Sequence, residues 1–200
     1  AIIRGVLEGS LLKASDISVG EPLELRCRVL EQRYNISTSI LNSKAIENAD
    51  MVVIAVKPAH LVGVMNELKG NLKPTQTILS IVAGARIPYL VKGLGHHDVI
   101  RVMPNTPGQI GAGISVWAHS ADVSKESRAF AQAILQTLGI EIHVSEENYM
   151  DMATALSASG PAYTFLFIEA LIDAGVYLGL PREMARTLSL ETVLGSCKLM

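Results

Sequence analysis

Two hundred residues, 49% hydrophobic and 18% charged, suffice for one large domain or one and a half, with a sizeable core and no need of disulfides. A formal net charge of −2 without any basic stripe gives no polyanion-binding field, which excludes nucleic acid as an expected partner. Cys27 and Cys197 are far apart, lack CxxC spacing and read as reduced cysteines of a cytoplasmic chain.

Residues 1–12 read as helix interior with no N-cap before it, and no signal peptide is visible. Residues 16–19 are predicted as a short strand and 23–34 as a helix. Asn42 is expected to cap a short helix ending near Ala49. The β-branched run 51–56 has the character of a strand buried on both faces of a parallel sheet. Pro58 then opens a helix reaching about Leu72, since a first-turn proline costs no hydrogen bond. Further strands are predicted over 77–82, 99–103, 114–118 and 140–144, and helices over 87–93 and 124–138. This alternation predicts a doubly wound parallel sheet. From Glu146 only helices follow (148–157, 161–178 and 181–200), separated by Gly-Pro and Gly-Leu-Pro breaks, so a domain boundary is placed near Ser145. The most apolar segment, 162–180, carries Glu169 and Asp173 one turn apart, so a subunit interface is expected there rather than a membrane span. The amphipathic pattern still runs at Met200, and the sequence reads as a fragment cut at both ends.

Three strand ends are candidates for one site: Ala55-Val56-Lys57-Pro58, Val82-Ala83-Gly84 and Asn105-Thr106. In open α/β sheets the carboxyl ends of neighbouring strands line the ligand crevice. Lys57 reads either as a surface lysine or as a cation for a phosphate or carboxylate, helped by the helix N-terminus after Pro58. Ala83 and Gly84 would let a flat ring approach the backbone, or simply make a turn. Pro104 and Pro107 bracket Asn105 and Thr106, giving either a rigid loop or a turn that aims two polar groups. The segment 155–163, small residues followed by Gly160-Pro161, has no nucleophile elbow and reads as close helix packing or as hydroxyl donors from Ser157 and Ser159. His96-His97 lacks i, i+4 spacing and the other histidines are scattered, so no metal site is expected. Glu146-Glu147 reads as an electrostatic helix cap, or as a carboxylate meeting a substrate amine.

Taken together, Ala55-Val56-Lys57-Pro58, Ser80-x-x-Ala83-Gly84, Arg101-Val102-Met103-Pro104-Asn105-Thr106-Pro107, Ser157-x-Ser159-Gly160-Pro161-Ala162-Tyr163, Gly179-Leu180-Pro181-Arg182 and Thr192-Val193-Leu194-Gly195 resemble pyrroline-5-carboxylate reductase in order and spacing. The resemblance covers essentially the whole chain. It implies reduction of 1-pyrroline-5-carboxylate to L-proline with NADPH or NADH by a cytoplasmic homodimer or higher homo-oligomer. The implied architecture is a Rossmann-like dinucleotide-binding domain over 1–145, lacking its first strand, and an all-α dimerisation domain over 146–200 that stops short. It implies cofactor contacts from Asn42, Ala55, Val56, Lys57 and Pro58, a floor of Ile81, Val82 and Ala83, and Asn105 and Thr106 at the same crevice. Glu147 matches a position that contacts the substrate-like ligand in some relatives. The family's G-x-G-x-M-A loop and its Ser-Pro-Gly-Gly-Thr loop are absent, and Ala155 and Ala158 stand where glycine is usual, so this fragment is expected to have little activity of its own. Glu21 favours the free ribose of NAD, while Arg26 and Arg28 keep NADP open.

No catalytic dyad is visible, which agrees with hydride addition to a C=N bond, where the cofactor does the hard step. Two other readings stay open. One is a 3-hydroxy acid type dehydrogenase, opposed by Lys198 being the only lysine after Ser145. The other is a truncated chain that only dimerises.

Overall fold

The computed structural model describes residues 1–200, which divide into two compact units, 1–154 and 155–200. The first unit alternates helices and strands: α1 (Ile2–Glu8), β1 (Ser18–Gly20), α2 (Glu24–Tyr34), β2 (Ser37–Ser39), α3 (Asn42–Ala45), β3 (Met51–Ile54), α4 (Pro58–Leu68), β4 (Thr77–Ser80), α5 (Ile87–Leu94), β5 (Val99–Pro104), β6 (Gly113–His119), α6 (Lys125–Gln136), β7 (Gly139–His143) and α7 (Asn148–Ala153). The last strand ends at His143, and the first helix beyond it, α7, folds with this unit.

The strands form a five-stranded sheet in the order β3-β4-β5-β6-β7 and a separate parallel pair, β1-β2. Parallel β3, β4 and β5 are joined through α4 and α5. β4 is buried along its whole length, which explains its uninterrupted Thr-Ile-Leu-Ser run. Alternate residues feed two cores. Val52, Ile54, Ile78 and Val99 pack with Leu61, Met65, Leu90 and Leu94 of α4 and α5. Leu79, Ile100, Val102 and Trp117 pack with Ala131 and Leu135 of α6 on the other face. The doubly wound, Rossmann-like architecture is therefore present, followed by helices.

Several elements depart from the sequence reading. β6 runs antiparallel to β5 rather than parallel. Only residues 105–112 join them, too few for the crossover that a parallel pair requires. β2 is a Ser-Thr-Ser strand with no apolar run to reveal it. The predicted strand near 16–19 begins as a 3-10 turn, Ala14–Asp16, before β1. Asn42 does not cap α3: Leu41 holds that position, and α3 ends at Ala45 rather than near Ala49. The helix predicted over 124–138 begins with a side-chain cap: the Ser124 hydroxyl accepts the Ser127 N–H at 3.0 Å and starts α6.

The second unit contains α8 (Gly160–Tyr177) and α9 (Arg182–Leu199). They form a hairpin in which Gly175 lets Ala185 close in, since a Cβ on Gly175 would stand 2.9 Å from that of Ala185. Arg182 pairs with Asp173 at 3.2 Å. Only Gly160 and Ala185 are buried on these two helices.

Leu135 has no exposed surface and belongs to the α6 core. Leu135→Ala is expected to cost about 2–5 kcal/mol by leaving a cavity, read as a lowered denaturation midpoint with an unchanged slope.

Candidate active site

Parallel pairing brings Ile54, Ser80 and Arg101 level with one another, so the segments that follow β3, β4 and β5 emerge along one sheet edge. The first is Ala55-Val56-Lys57-Pro58. Val56 packs on the α4–α5 core, so its side chain is spent on packing, while Ala55, Lys57 and Pro58 are exposed. Lys57 stands at the N-cap of α4 and makes no ion pair. A free cation at a helix N-terminus, where unpaired N–H groups point outward, is a favourable place for an anion.

The second segment is Ile81-Val82-Ala83-Gly84. Val82 is buried and Ile81 half-buried in the two cores, leaving their backbone at the edge. The Ile81 N–H is already given to the Ile54 carbonyl at 3.1 Å. Ala83 and Gly84 are exposed. Gly84 has φ +74, and nothing lies within 4 Å of where its Cβ would be, so this wall is smooth and open.

The third segment is the Pro104–Pro107 turn, which leads into a 3-10 turn, Thr106–Ile110. Asn105 uses its Oδ1 to accept the Ile114 N–H at 2.9 Å, tying the turn back to β6, while Thr106 is exposed. Of the two polar side chains between the prolines, one thus holds the loop in shape and the other faces solvent.

Asn42 stands apart, at the end of the β1-β2 pair. It donates from Nδ2 to Glu67 Oε2 of α4 at 2.6 Å, and its Oδ1 lies where a Cβ on Gly20 would intrude at 2.3 Å. The close approach leaves no room for a side chain at position 20, and the Asn42 amide is engaged with Glu67 rather than with the first turn of α3.

Glu147 lies at the N-cap of α7, where its Oε1 accepts the Ile87 N–H at 2.8 Å and Arg101 Nη1 at 2.8 Å. Arg101 Nη2 reaches Asp151 Oδ1 at 3.1 Å, and Arg86 grips Asp151 Oδ2 at 2.5 Å. Arg86 is the N-cap residue of α5. Two arginines and two carboxylates thus bind β5, α5 and α7 together. The hydrogen bonds from Arg101 and then Arg86 hold the Asp151 carboxyl below the usual carboxylate range. Sequence reading passed over Arg101, Arg86 and Asp151. A signal was available: an arginine inside an apolar strand run demands acidic partners, and Glu147 and Asp151 share the i, i+4 spacing of one helix face.

The edge as a whole fits a dinucleotide. It offers small exposed residues where a flat ring could approach backbone, an unpaired cation at a helix N-terminus, and no cluster of histidine, cysteine, aspartate or glutamate suited to a metal.

Comparisons with known proteins agree. A family model described as pyrroline-5-carboxylate reductase dimerisation matches residues 147–200. One described as NADP oxidoreductase, coenzyme F420-dependent, matches residues 1–84. The chain is 39% identical over 199 residues to a pyrroline-5-carboxylate reductase of Synechocystis, covering all of this chain and 74% of that protein. A solved pyrroline-5-carboxylate reductase from Coxiella burnetii superposes with a TM-score of 0.92 at 33% identity, covering 99% of this chain and 74% of the other. The Plasmodium falciparum pyrroline carboxylate reductase, solved with NADP bound, gives 0.88 at 31% identity, covering 99% and 72%.

Because the folded Asp151 titrates below its unfolded value, its contribution to stability is present at neutral pH and lost as pH falls through that lower value. The thermal midpoint of Asp151→Asn is expected to lie below that of the parent at neutral pH. The gap should narrow as pH falls below the ordinary aspartate value. Thermal melts across that range check it.

Proposed function

The chain belongs to the pyrroline-5-carboxylate reductase family, and from that premise we propose how its residues serve the reaction. The protein is an NAD(P)H-dependent oxidoreductase that reduces 1-pyrroline-5-carboxylate to L-proline, the closing step of proline biosynthesis. The observation that carries the site assignment is the row of strand ends, with unpaired Lys57 at one position and the open Ala83-Gly84 wall at the next.

Lys57 and the N-terminus of α4 hold the negatively charged part of the cofactor. Ala55, Pro58, Ala83 and the backbone of Val56, Ile81 and Val82 form the surface against which its ring lies. Thr106 contributes a hydroxyl at the same edge, and Asn105 keeps that turn rigid through Ile114. Asn42 lines the far end, beside Gly20. Glu147 meets the substrate, its carboxylate opposite the ring nitrogen. When bound, the reduced nicotinamide would supply the hydride to the C=N carbon of the ring in its protonated form, whose N–H faces Glu147 and becomes the amine N–H of L-proline. The protein's own task is alignment and exclusion of water, so no side chain is needed as an indispensable general acid or base.

Unit 155–200 supplies the subunit interface of a homodimer or larger homo-oligomer. Its support is the match to a dimerisation family, together with Phe165 (64% exposed), Phe167 (57%) and Tyr177 (92%) on α8. By length and composition, Asn148–Tyr177 could also cross a membrane. Glu169 and Asp173 within that run, and the dimerisation match, favour a second subunit as its cover. We place the enzyme in the cytoplasm, in line with its reduced cysteines.

Two measurements test this reading. The purified full-length enzyme that carries this segment should consume NADPH or NADH in step with L-proline formed from 1-pyrroline-5-carboxylate, and Lys57→Ala in it should weaken cofactor binding about tenfold, the equivalent of ~1.4 kcal/mol. Unchanged cofactor affinity and turnover in Lys57→Ala would remove Lys57 from the site. Sedimentation of the Phe165→Glu, Phe167→Glu double variant should show monomer where the parent shows dimer or larger, and a parent that sediments as monomer contradicts the interface.

A further inference from the structure

Arg101 is the one arginine or lysine buried in this chain, at 2% exposure, and it sits in the apolar strand that ends in the Asn105–Thr106 turn. A buried guanidinium persists only where its donors are matched. Here the match is divided: Nη1 goes to Glu147 and Nη2 to Asp151, one turn apart on α7. Glu147 is in turn held from a second side by the Ile87 N–H, at the start of the helix that follows the Ala83-Gly84 wall. Both bonds end on Oε1, and Oε2 accepts none, on a side chain that remains 21% exposed. A carboxylate anchored through one oxygen by two elements keeps the other oxygen as an acceptor of fixed position.

We infer that Arg101 is a positioning residue for the reduction: it orients Glu147 so that Oε2 is presented to the N–H of the substrate's protonated ring nitrogen. This rests on the reading of Glu147 as a substrate contact. Arg101 itself touches neither substrate nor cofactor. It acts through Glu147, which its Nη1 holds at 2.8 Å. Loss of Arg101 should therefore register on the substrate and spare the cofactor, whose proposed cation, Lys57, lies on a different strand end.

The test compares Arg101→Met, Arg101→Lys, Glu147→Gln and Leu135→Ala. Substrate KM, kcat, NADPH affinity by fluorescence titration and thermal midpoint are measured for each. Arg101→Met and Glu147→Gln are expected to raise substrate KM about tenfold or more, the worth of one charge-assisted hydrogen bond, with NADPH affinity within about threefold of the parent. Arg101→Lys, which keeps the charge but not the fork, should recover part of that loss. Leu135→Ala, destabilised away from the site, should keep the parent's KM.

Arg101→Met with a lowered midpoint but the parent's substrate KM would reduce Arg101 to a structural residue and overturn the inference, as would a KM rise matched by Leu135→Ala. If Arg101→Met does not fold, Arg101→Lys decides: a raised substrate KM with parental NADPH affinity supports the inference, and parental values of both overturn it. Glu147→Gln with parental KM would instead sink the reading of Glu147 as the substrate contact, and the inference with it. A raised KM in Glu147→Gln alone leaves that reading standing and removes only the role of Arg101.

Discussion

Burial of β4 on both faces is the constraint from which the rest of this protein follows. A strand with no exposed residue needs helices on each side, and helices on each side of neighbouring strands are obtained by crossover connections. Crossovers make β3, β4 and β5 parallel, and parallel strands put their carboxyl ends on one edge. Lys57, Ala83-Gly84 and Thr106 are therefore neighbours because of a packing requirement that has nothing to do with catalysis. The packing leaves that edge open, and in open α/β sheets such an edge is where ligands bind.

The second organising interaction is electrostatic. Arg101 carries a charge into the sheet, which would be costly without partners, and α7 brings two carboxylates to it. Breaking such an arrangement from one side leaves a charge buried with too few donors or acceptors, whereas an apolar replacement of all its members could be as stable. The contacts tie Glu147, α5 and α7 to β5, and their number is a weaker guide to stability than to placement. Glu147 and Asp151 belong by sequence to the segment matched as a dimerisation domain, yet they fold with the dinucleotide-binding unit.

The α8–α9 hairpin shows the opposite balance. Its two helices bury little beyond Gly160 and Ala185. Two helices have too little mutual surface to hide Phe165, Phe167 and Tyr177, and apolar area left in contact with water calls for another protein surface.

Most of the fold was legible in the sequence because the signals were local. A continuous β-branched run marked β3, an apolar run marked β4, and a proline at the first helical turn marked α4. The strand-end candidates were legible for the same reason, since a strand's carboxyl end can be read without knowing its neighbours. Tertiary structure alone decided the direction of β6, the existence of the polar strand β2 and the turning of Asn42 toward Glu67. It alone gave Asn105 to Ile114, sent Val56 and Val82 into the core, and joined Arg101 to Glu147 and Asp151. Each of these depends on partners between 9 and 50 residues away, or on which face of a strand meets which helix. Local propensity carries no information about such partners. They are chosen by the need to pair buried polar groups and fill the core once the chain has folded.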